Sequence, residues 1–420
     1  MATLLDVFRK ILTSSLIHSF YVKIEPTTTY EEVFMDNFIF NAPTKIYFGK
    51  GMLDNLPKAI AAHGKKVLLV YGGGIIKKNG IYDHIQELLA DCHLVELSGV
   101  DPNPRIETVR EGVALSKAHH IDVILAVGGG SVIDCAKVIG AGSYYDGDAW
   151  DLVMDADKIT RALPLVTVLT LAATGSEMNP FAVISNWDVN EKRGTFSPTM
   201  IPQASILDPE FLYTLPALQT ASGTADIMSH VFENYFKKEE DTFIQNRLAE
   251  NLLQTCITYC PIALKEPTNY EARANLMWAS TLALNGLVGA GKPGSWSCHP
   301  IEHELSAFYD LTHGVGLAIL TPRWMRHILN EETVDKFVTY GKNVWHLPEM
   351  EDSFAYANAA IDATENFFKA CGLPMTFSEV GITEEHFTLM AEKAVKIGNL
   401  KDAYVPLTPE DVITILKACL

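Results

Sequence analysis

Histidine is scarce in this chain, 13 among 420 residues, yet three fall in one run, "CHPIEHELSAFYDLTH" at 298–313. His299 and His303 stand four apart, and His313 follows ten residues later, directly before Gly314. Upstream, "TADIMSH" sets Asp226 and His230 at the same interval of four. On a helix that interval projects both side chains from one face. One carboxylate with several imidazoles suits Fe(II), Zn(II) or Co(II), whereas Mg(II) or Ca(II) would want more oxygen donors. Four protein ligands and an open position would let such a metal polarise a carbonyl or alcohol oxygen. Spacing leaves open whether His299 and His303 are both ligands, or whether one stands outside as a proton donor.

Two glycine-rich stretches suggest a second chemistry. In "AVGGGSVIDCAK" (126–137) a strand-like run meets Gly128, Gly129 and Gly130, then Ser131 and a helical pattern. Glycines let the backbone approach a phosphate, and a helix start offers free N–H groups and a positive dipole end. The GxGxxG dinucleotide fingerprint is absent, because Ile133 occupies its last position. "YGGGIIKKNG" (71–80) also follows a strand-like run. At such a strand end an acid binds ribose hydroxyls and disfavours a 2′-phosphate. Here Gly72, Gly73 and Gly74 stand in that region with Lys77 and Lys78 and no acid, which favours the phosphorylated cofactor.

These residues need elements to hold them. "KVLLVYGGG", "HLVELSG", "IDVILAVGGG" and "LPLVTVLTLA" are apolar runs ending in small residues, separated by helical patterns. That alternation predicts a parallel sheet covered on both faces. After about residue 210 strand-like runs nearly vanish and helical patterns dominate. We therefore expect an α/β dinucleotide-binding domain at 35–210 and an all-helical metal-binding domain at 211–420, with a small-molecule cleft between them. Residues 1–34 read as an N-terminal extension whose basic, Ser/Thr-rich start has some flavour of a targeting segment.

Composition excludes several classes. The net charge of −18, from 33 basic and 51 acidic residues, argues against nucleic-acid binding. No apolar stretch approaches the roughly 20 residues that span a bilayer. Seven scattered cysteines fit neither a disulfide framework nor a zinc ribbon, so a reducing, cytoplasmic setting is expected.

With "FNAPTKIYFGKG" (40–51), "GVDPNP" (99–104), "GGGSVIDCAK", "TLAATGSEMN" (170–179), "ILDPE" (206–210) and the 298–313 run, the chain from Met35 onward resembles the iron-containing (group III) alcohol dehydrogenases. Within that family it is most similar to NADPH-dependent aldehyde reductases and butanol dehydrogenases. The resemblance implies a Rossmann-like parallel-sheet domain followed by an all-α domain, the dehydroquinate synthase-like architecture. It implies one divalent metal, Fe(II) or Zn(II), on Asp226, His230, His299 and His313, with His303 beside the nicotinamide. Cofactor contacts carry over to Asn103, Gly129, Gly130 and Ser131, and further to Asp134, Thr170, Asn179 and Lys192. Gly72–Gly74 stand where NAD-preferring members have an aspartate.

Three departures from the pattern stand out: Ile75 for serine, Leu171 and Ala173 for threonine and glycine, and Pro300 directly after His299. Proline disfavours helical geometry in the residue before it, so we expect His299 at a helix start. The implied activity is reversible, NADPH-linked reduction of short- or medium-chain aldehydes by a homodimer, with NADH as the alternative cofactor. Trp296, Phe308 and Tyr309 are candidates for an apolar substrate wall. The rivals are an NADH-linked diol, lactaldehyde or hydroxy-acid dehydrogenase, a lyase on the related fold, and a non-catalytic scaffold.

Overall fold

β-Branched and leucine-rich runs that are apolar on both faces can only be satisfied inside a covered parallel sheet, and that is where they lie in the computed structural model. It describes residues 35–238 and 241–420; the expected extension and its targeting flavour fall on residues 1–34, outside the described residues. Six parallel strands form the sheet in the order β1-β8-β5-β4-β2-β3. They are β1 (Lys45–Phe48), β2 (Lys66–Tyr71), β3 (His93–Leu97), β4 (Val123–Gly128), β5 (Leu165–Leu169) and β8 (Ala204–Leu207). β4 and β5 are buried throughout. The crossovers hold α1 (Leu56–Ala61), α2 (Ile75–Lys78), α3 (Ile81–Leu88), α4 (Ile106–His119), α5 (Gly130–Gly142) and α6 (Ala149–Met154).

The chain runs outward from β2 to β3, then crosses back to β4 and continues the other way. The switch point therefore lies between the carboxyl ends of β2 and β4, where open α/β sheets bind ligands. Both glycine-rich stretches sit there. An antiparallel hairpin, β6 (Phe181–Asn186) and β7 (Glu191–Phe196), leaves the sheet and was not expected from the sequence.

Beyond β8 the chain is helical: α7 (Ala217–Tyr235), α8 (Phe243–Lys265), α9 (Tyr270–Ala283), α10 (Cys298–Tyr309), α11 (His313–Ile328), α12 (Val334–Asn343), α13 (Ser353–Ala370), α14 (Phe387–Gly398) and α15 (Pro409–Lys417). Aromatic packing among Phe232, Phe236, Trp324, Phe337 and Tyr340 anchors its core. Residues Met35–Leu420 pack as one compact unit. Among the described residues no helix is long and apolar enough to cross a membrane.

Two glycines set how α7 meets its neighbours. A Cβ on Gly223 would stand 2.5 Å from the Ala172 carbonyl oxygen, and one on Gly314 would stand 2.0 Å from that of Ser222. Backbone atoms cannot swing aside as a side-chain end can. Helix propensity alone favours Gly223→Ala by about 1 kcal/mol, but overpacking typically costs about 1–3 kcal/mol. We expect Gly223→Ala to unfold at lower urea than wild type; an unchanged or higher midpoint would refute the close-approach argument.

Candidate active site

From Thr220 to Tyr235 every residue of α7 is buried, because the helix runs through the middle of the helical half. Asp226 and His230 lie there one turn apart. α10 begins at Cys298, so His299 and Pro300 fall in its first turn, where N–H groups have no helical acceptor and proline is tolerated. Asp310, whose φ is 52°, caps the end of α10, and three residues later His313 opens α11. Asp310 Oδ1 accepts a hydrogen bond from Asn103 Nδ2 at 2.9 Å and forms an ion pair with Arg105 Nη2 at 2.9 Å.

These three helices converge on one point. The Nε2 atoms of His230, His299 and His313 lie 3.6, 3.8 and 3.6 Å from Asp226 Oδ1. Such separations are too long for hydrogen bonds. Asp226, His299 and His313 each offer a ligand atom within 4.8 Å of the other two, which suits a cation held at about 2.0–2.2 Å, and His230 adjoins this trio through Asp226. Asp226 Oδ1 and His299 Nε2 have no hydrogen-bond partner, although Asp226 is only 3% exposed. Orphaned buried donors of this kind fit a divalent metal. His303 stands beside the cluster, its ring 5.6 Å from that of His313.

The electrostatics follow from burial and crowding. Burial alone would raise the Asp226 carboxyl, but His230, His313 and His299 outweigh it and hold the group well below the usual range. Burial pushes His230 down to about 3 despite Asp226. His299 is lifted to about 9 against the same burial, by Asp226 and Glu233. Burial, then Lys192 and the neighbouring imidazoles, drive His303 well below its ordinary value.

Spacing did not reveal the groups that orient the ring nitrogens away from the cluster. Glu233 Oε1 lies 3.2 Å from His299 Nδ1 and also accepts the His299 N–H at 2.8 Å. Glu302 contacts His313 Nδ1, accepts from Ser306 Oγ at 2.6 Å and lies 3.6 Å from Lys192 Nζ. Carboxylates in these positions fix imidazole tautomer and ring angle. Both stand in "SHVFEN" and "HPIEHE", but each serves a histidine that the helical repeat does not point to.

A cavity of about 710 Å³ runs from the histidines to the glycine-rich helix start. Asn103, Gly130, Ser131, Asp134, Asn179 and Lys192 line it, as do Trp296 and His303. Gly72–Gly74, Gly128, Gly129 and Thr170 are not on this wall; the Thr170 N–H bonds the Gly128 carbonyl at 3.0 Å. Phe308 and Tyr309 also lie elsewhere, against His386 on the far side of α10, so of the three aromatics only Trp296 faces the cavity. Lys192 donates to Ser306 Oγ at 2.9 Å and so reaches from β7 into the helical half.

The acid missing from "YGGGIIKKNG" comes from the adjacent strand. Glu96 of β3 accepts from Tyr71 at 2.7 Å and Tyr82 at 2.5 Å, and lies 3.6 Å from Lys77 Nζ. Lys77 thus already has an anionic neighbour.

A buried lysine braces the loop below the cavity. Lys137 of α5 donates to Ser176 Oγ at 2.7 Å, Asn179 Oδ1 at 3.0 Å and the Phe181 carbonyl at 2.6 Å. Ser176 passes its own hydrogen to Asp134 Oδ1 at 2.6 Å. Two residues predicted to touch cofactor, Asp134 and Asn179, are therefore also tied into this internal network.

A dinucleotide-type sheet with a histidine–carboxylate cluster facing its switch point defines a metal-dependent oxidoreductase architecture. Residues 43–209 match the family profile described as iron-containing alcohol dehydrogenase, and residues 220–420 match the C-terminal part of the Fe-containing alcohol dehydrogenase family. The chain belongs to the iron-containing alcohol dehydrogenase family. NADH-dependent butanol dehydrogenase A of Clostridium acetobutylicum is 52% identical over 390 residues, which cover 91% of this chain and 99% of that one. NADPH-dependent aldehyde reductase YqhD of Escherichia coli is 41% identical over 367 residues, covering 87% and 94%. The crystal structure of NADH-dependent butanol dehydrogenase A from Thermotoga maritima has a TM-score of 0.87 at 40% identity, covering 92% of this chain and 99% of that chain.

Burial lowers the Lys137 ammonium from its usual 10.5 to about 8, with Asp134 and Glu177 opposing the shift. Charged Lys137 therefore costs stability in full below about pH 8, and that cost fades as pH rises towards 10.5. Lys137→Met removes the titration. We expect wild type to gain stability relative to this variant between pH 8 and pH 10 in denaturant titrations; a pH-independent difference would contradict the burial argument.

Proposed function

We propose that the protein catalyses reversible, NADPH-linked reduction of short- or medium-chain aldehydes to primary alcohols, with a divalent metal, Fe(II) or Zn(II), on Asp226, His230, His299 and His313. The observation that carries this reading is the gathering of Asp226, His299 and His313 ligand atoms within 4.8 Å of one another, with His230 Nε2 3.6 Å from Asp226, at one end of a cavity whose other end is the α5 helix start. When bound, the metal would supply Lewis acidity to the substrate oxygen, and the reduced nicotinamide a hydride.

The chain's own residues do the rest. Gly130 and Ser131 present backbone N–H groups and the α5 dipole to the cofactor's pyrophosphate. Glu233 and Glu302 hold the His299 and His313 rings so that their Nε2 atoms face Asp226. Trp296, Leu284 and Pro300 supply apolar wall for an alkyl chain and exclude water from the reacting carbonyl. His303, in the wall beside the cluster and kept neutral by burial, relays a proton to the nascent alcohol, one ring nitrogen donating as the other accepts from water.

NADPH is favoured because no side chain at Gly72–Gly74 rejects a 2′-phosphate and Lys78 is close by. A second reading, NADH, draws on Glu96 beside Lys77 and on the names of the two butanol dehydrogenases. The homodimer draws support from exposed Phe38, Ile39 and Phe40, which lead into the edge strand β1. A cytoplasmic setting accords with seven free cysteines.

The decisive experiment pairs metal analysis of the purified protein with NADPH oxidation over aldehydes of increasing length. We expect bound metal and turnover in wild type, and loss of both in Asp226→Ala. Full activity in metal-free protein would overturn the mechanism. Initial rates with NADPH and NADH at equal concentration test the cofactor; we expect NADPH to be faster, and a strong NADH preference reverses that assignment.

A further inference from the structure

Away from the cavity, two sulfur nucleophiles stand against each other. Cys260 lies in the last two turns of α8, and Cys371 caps the C-terminal end of α13. Their Sγ atoms are 3.7 Å apart, across 111 residues of sequence. Cys260 is fully buried, whereas Cys371 is partly open to solvent. Neither lines the cavity.

The surroundings favour chemistry between them. A disulfide needs about 2.05 Å, so the sulfurs must close by about 1.6 Å, within reach of side-chain rotation. Gly372 follows Cys371 with φ +82° and open space around it, so the chain can give at that end. The Arg273 guanidinium lies near Cys260 and is held in place by bonds to Thr220 Oγ1 at 2.7 Å and the Pro267 carbonyl at 2.9 Å. A fixed cation beside a thiol favours its thiolate, the form that attacks sulfur; together with the Cys371 and Thr224 hydrogen bonds, it helps keep the Cys260 thiol below its ordinary range despite burial.

We propose that Cys260 and Cys371 form a reversible oxidation site that takes hydroperoxides and closes a disulfide between α8 and the end of α13. Cys260 and burial hold the partly exposed Cys371 thiol above its ordinary range, so its proton passes to the adjoining Cys260 thiolate as the Cys371 sulfur attacks the hydroperoxide's terminal oxygen. The O–O bond breaks, water or an alcohol leaves with a proton from solvent, and Cys371 becomes a sulfenic acid. Cys260 sulfur then attacks Cys371 sulfur, the S–O bond breaks, and hydroxide leaves with the thiol proton as water. Two thiols lose two hydrogens and two electrons, and the peroxide gains them. A dithiol reverses the bond. The crosslink would tie α8, which packs against α7, to the end of α13; Thr220 and Thr224 of α7 precede Asp226 by six and two residues.

The test treats the full-length protein with hydrogen peroxide, then counts free thiols under denaturing conditions and measures intact mass. We expect the count to fall from seven to five, the mass to drop by two hydrogens, and a peptide linking Cys260 to Cys371. The melting temperature should rise by several degrees, as a long closed loop predicts, and return with dithiothreitol. Cys371→Ser, a conservative change at a partly exposed site, should abolish all of these, while Cys260→Ser should leave a sulfenic acid at Cys371 that dimedone traps. Oxygen gain without loss of hydrogens, a linkage through other cysteines, or seven thiols surviving treatment would each overturn the proposal.

Discussion

One buried carboxylate governs the helical half of this molecule. Asp226 carries its charge in a region from which water is nearly excluded, and a lone ion there would cost several kcal/mol even after relaxation. Three imidazoles surround it but make no hydrogen bond to it, so the arrangement is compensated only by attraction across gaps of 3.6–3.8 Å. Buried, unbonded donors in such a set fit a divalent cation. Glu233 and Glu302 restrain two of the rings from behind, and the close approach of Gly314 to the Ser222 carbonyl sets the distance of α11 from α7.

The same cluster is tied to the sheet half through polar side chains as well as through packing. Lys192 crosses from β7 to Ser306 and Glu302, and Asn103 and Arg105 reach from the loop after β3 to Asp310. The residues expected to meet the cofactor are thus the residues that hold the histidine-bearing helices in place. A change at Lys192 would be felt at His313 through Glu302, which makes it ambiguous to assign such a residue to cofactor or to metal alone.

Much of the fold was legible because its signals are local. Continuous apolar runs announce β2, β4 and β5, and the interval of four places Asp226 above His230. The hairpin was not legible: β6 and β7 are short, carry polar residues such as Glu191 and Arg193, and pair with each other and, through Ser185, with Arg105 rather than with the main sheet. Long-range partners were equally hidden. Glu96 sits beside Lys77 only because β3 is the neighbour of β2, and Glu233 serves His299 from a different helix. Phe308 and Tyr309 misled for the same reason, since roughly a third of a turn around α10 separates the cavity face from the side that meets His386. The likeness to known enzymes singled out one histidine as a non-ligand; spacing alone could not, because helical geometry treats His299 and His303 alike.

Asp310 illustrates how narrowly such a junction can vary. The position asks for a left-handed backbone, which costs most L-residues roughly 1–2 kcal/mol; for an acceptor facing Asn103; and for a negative charge facing Arg105. Asparagine meets the first two demands and fails the third, while glycine meets only the first. A descendant of this chain that drifted at 310 would have to rewrite residues 103 and 105 in step. Those two positions and this one should therefore behave, over evolutionary time, as a single heritable unit that joins two otherwise separately evolving halves.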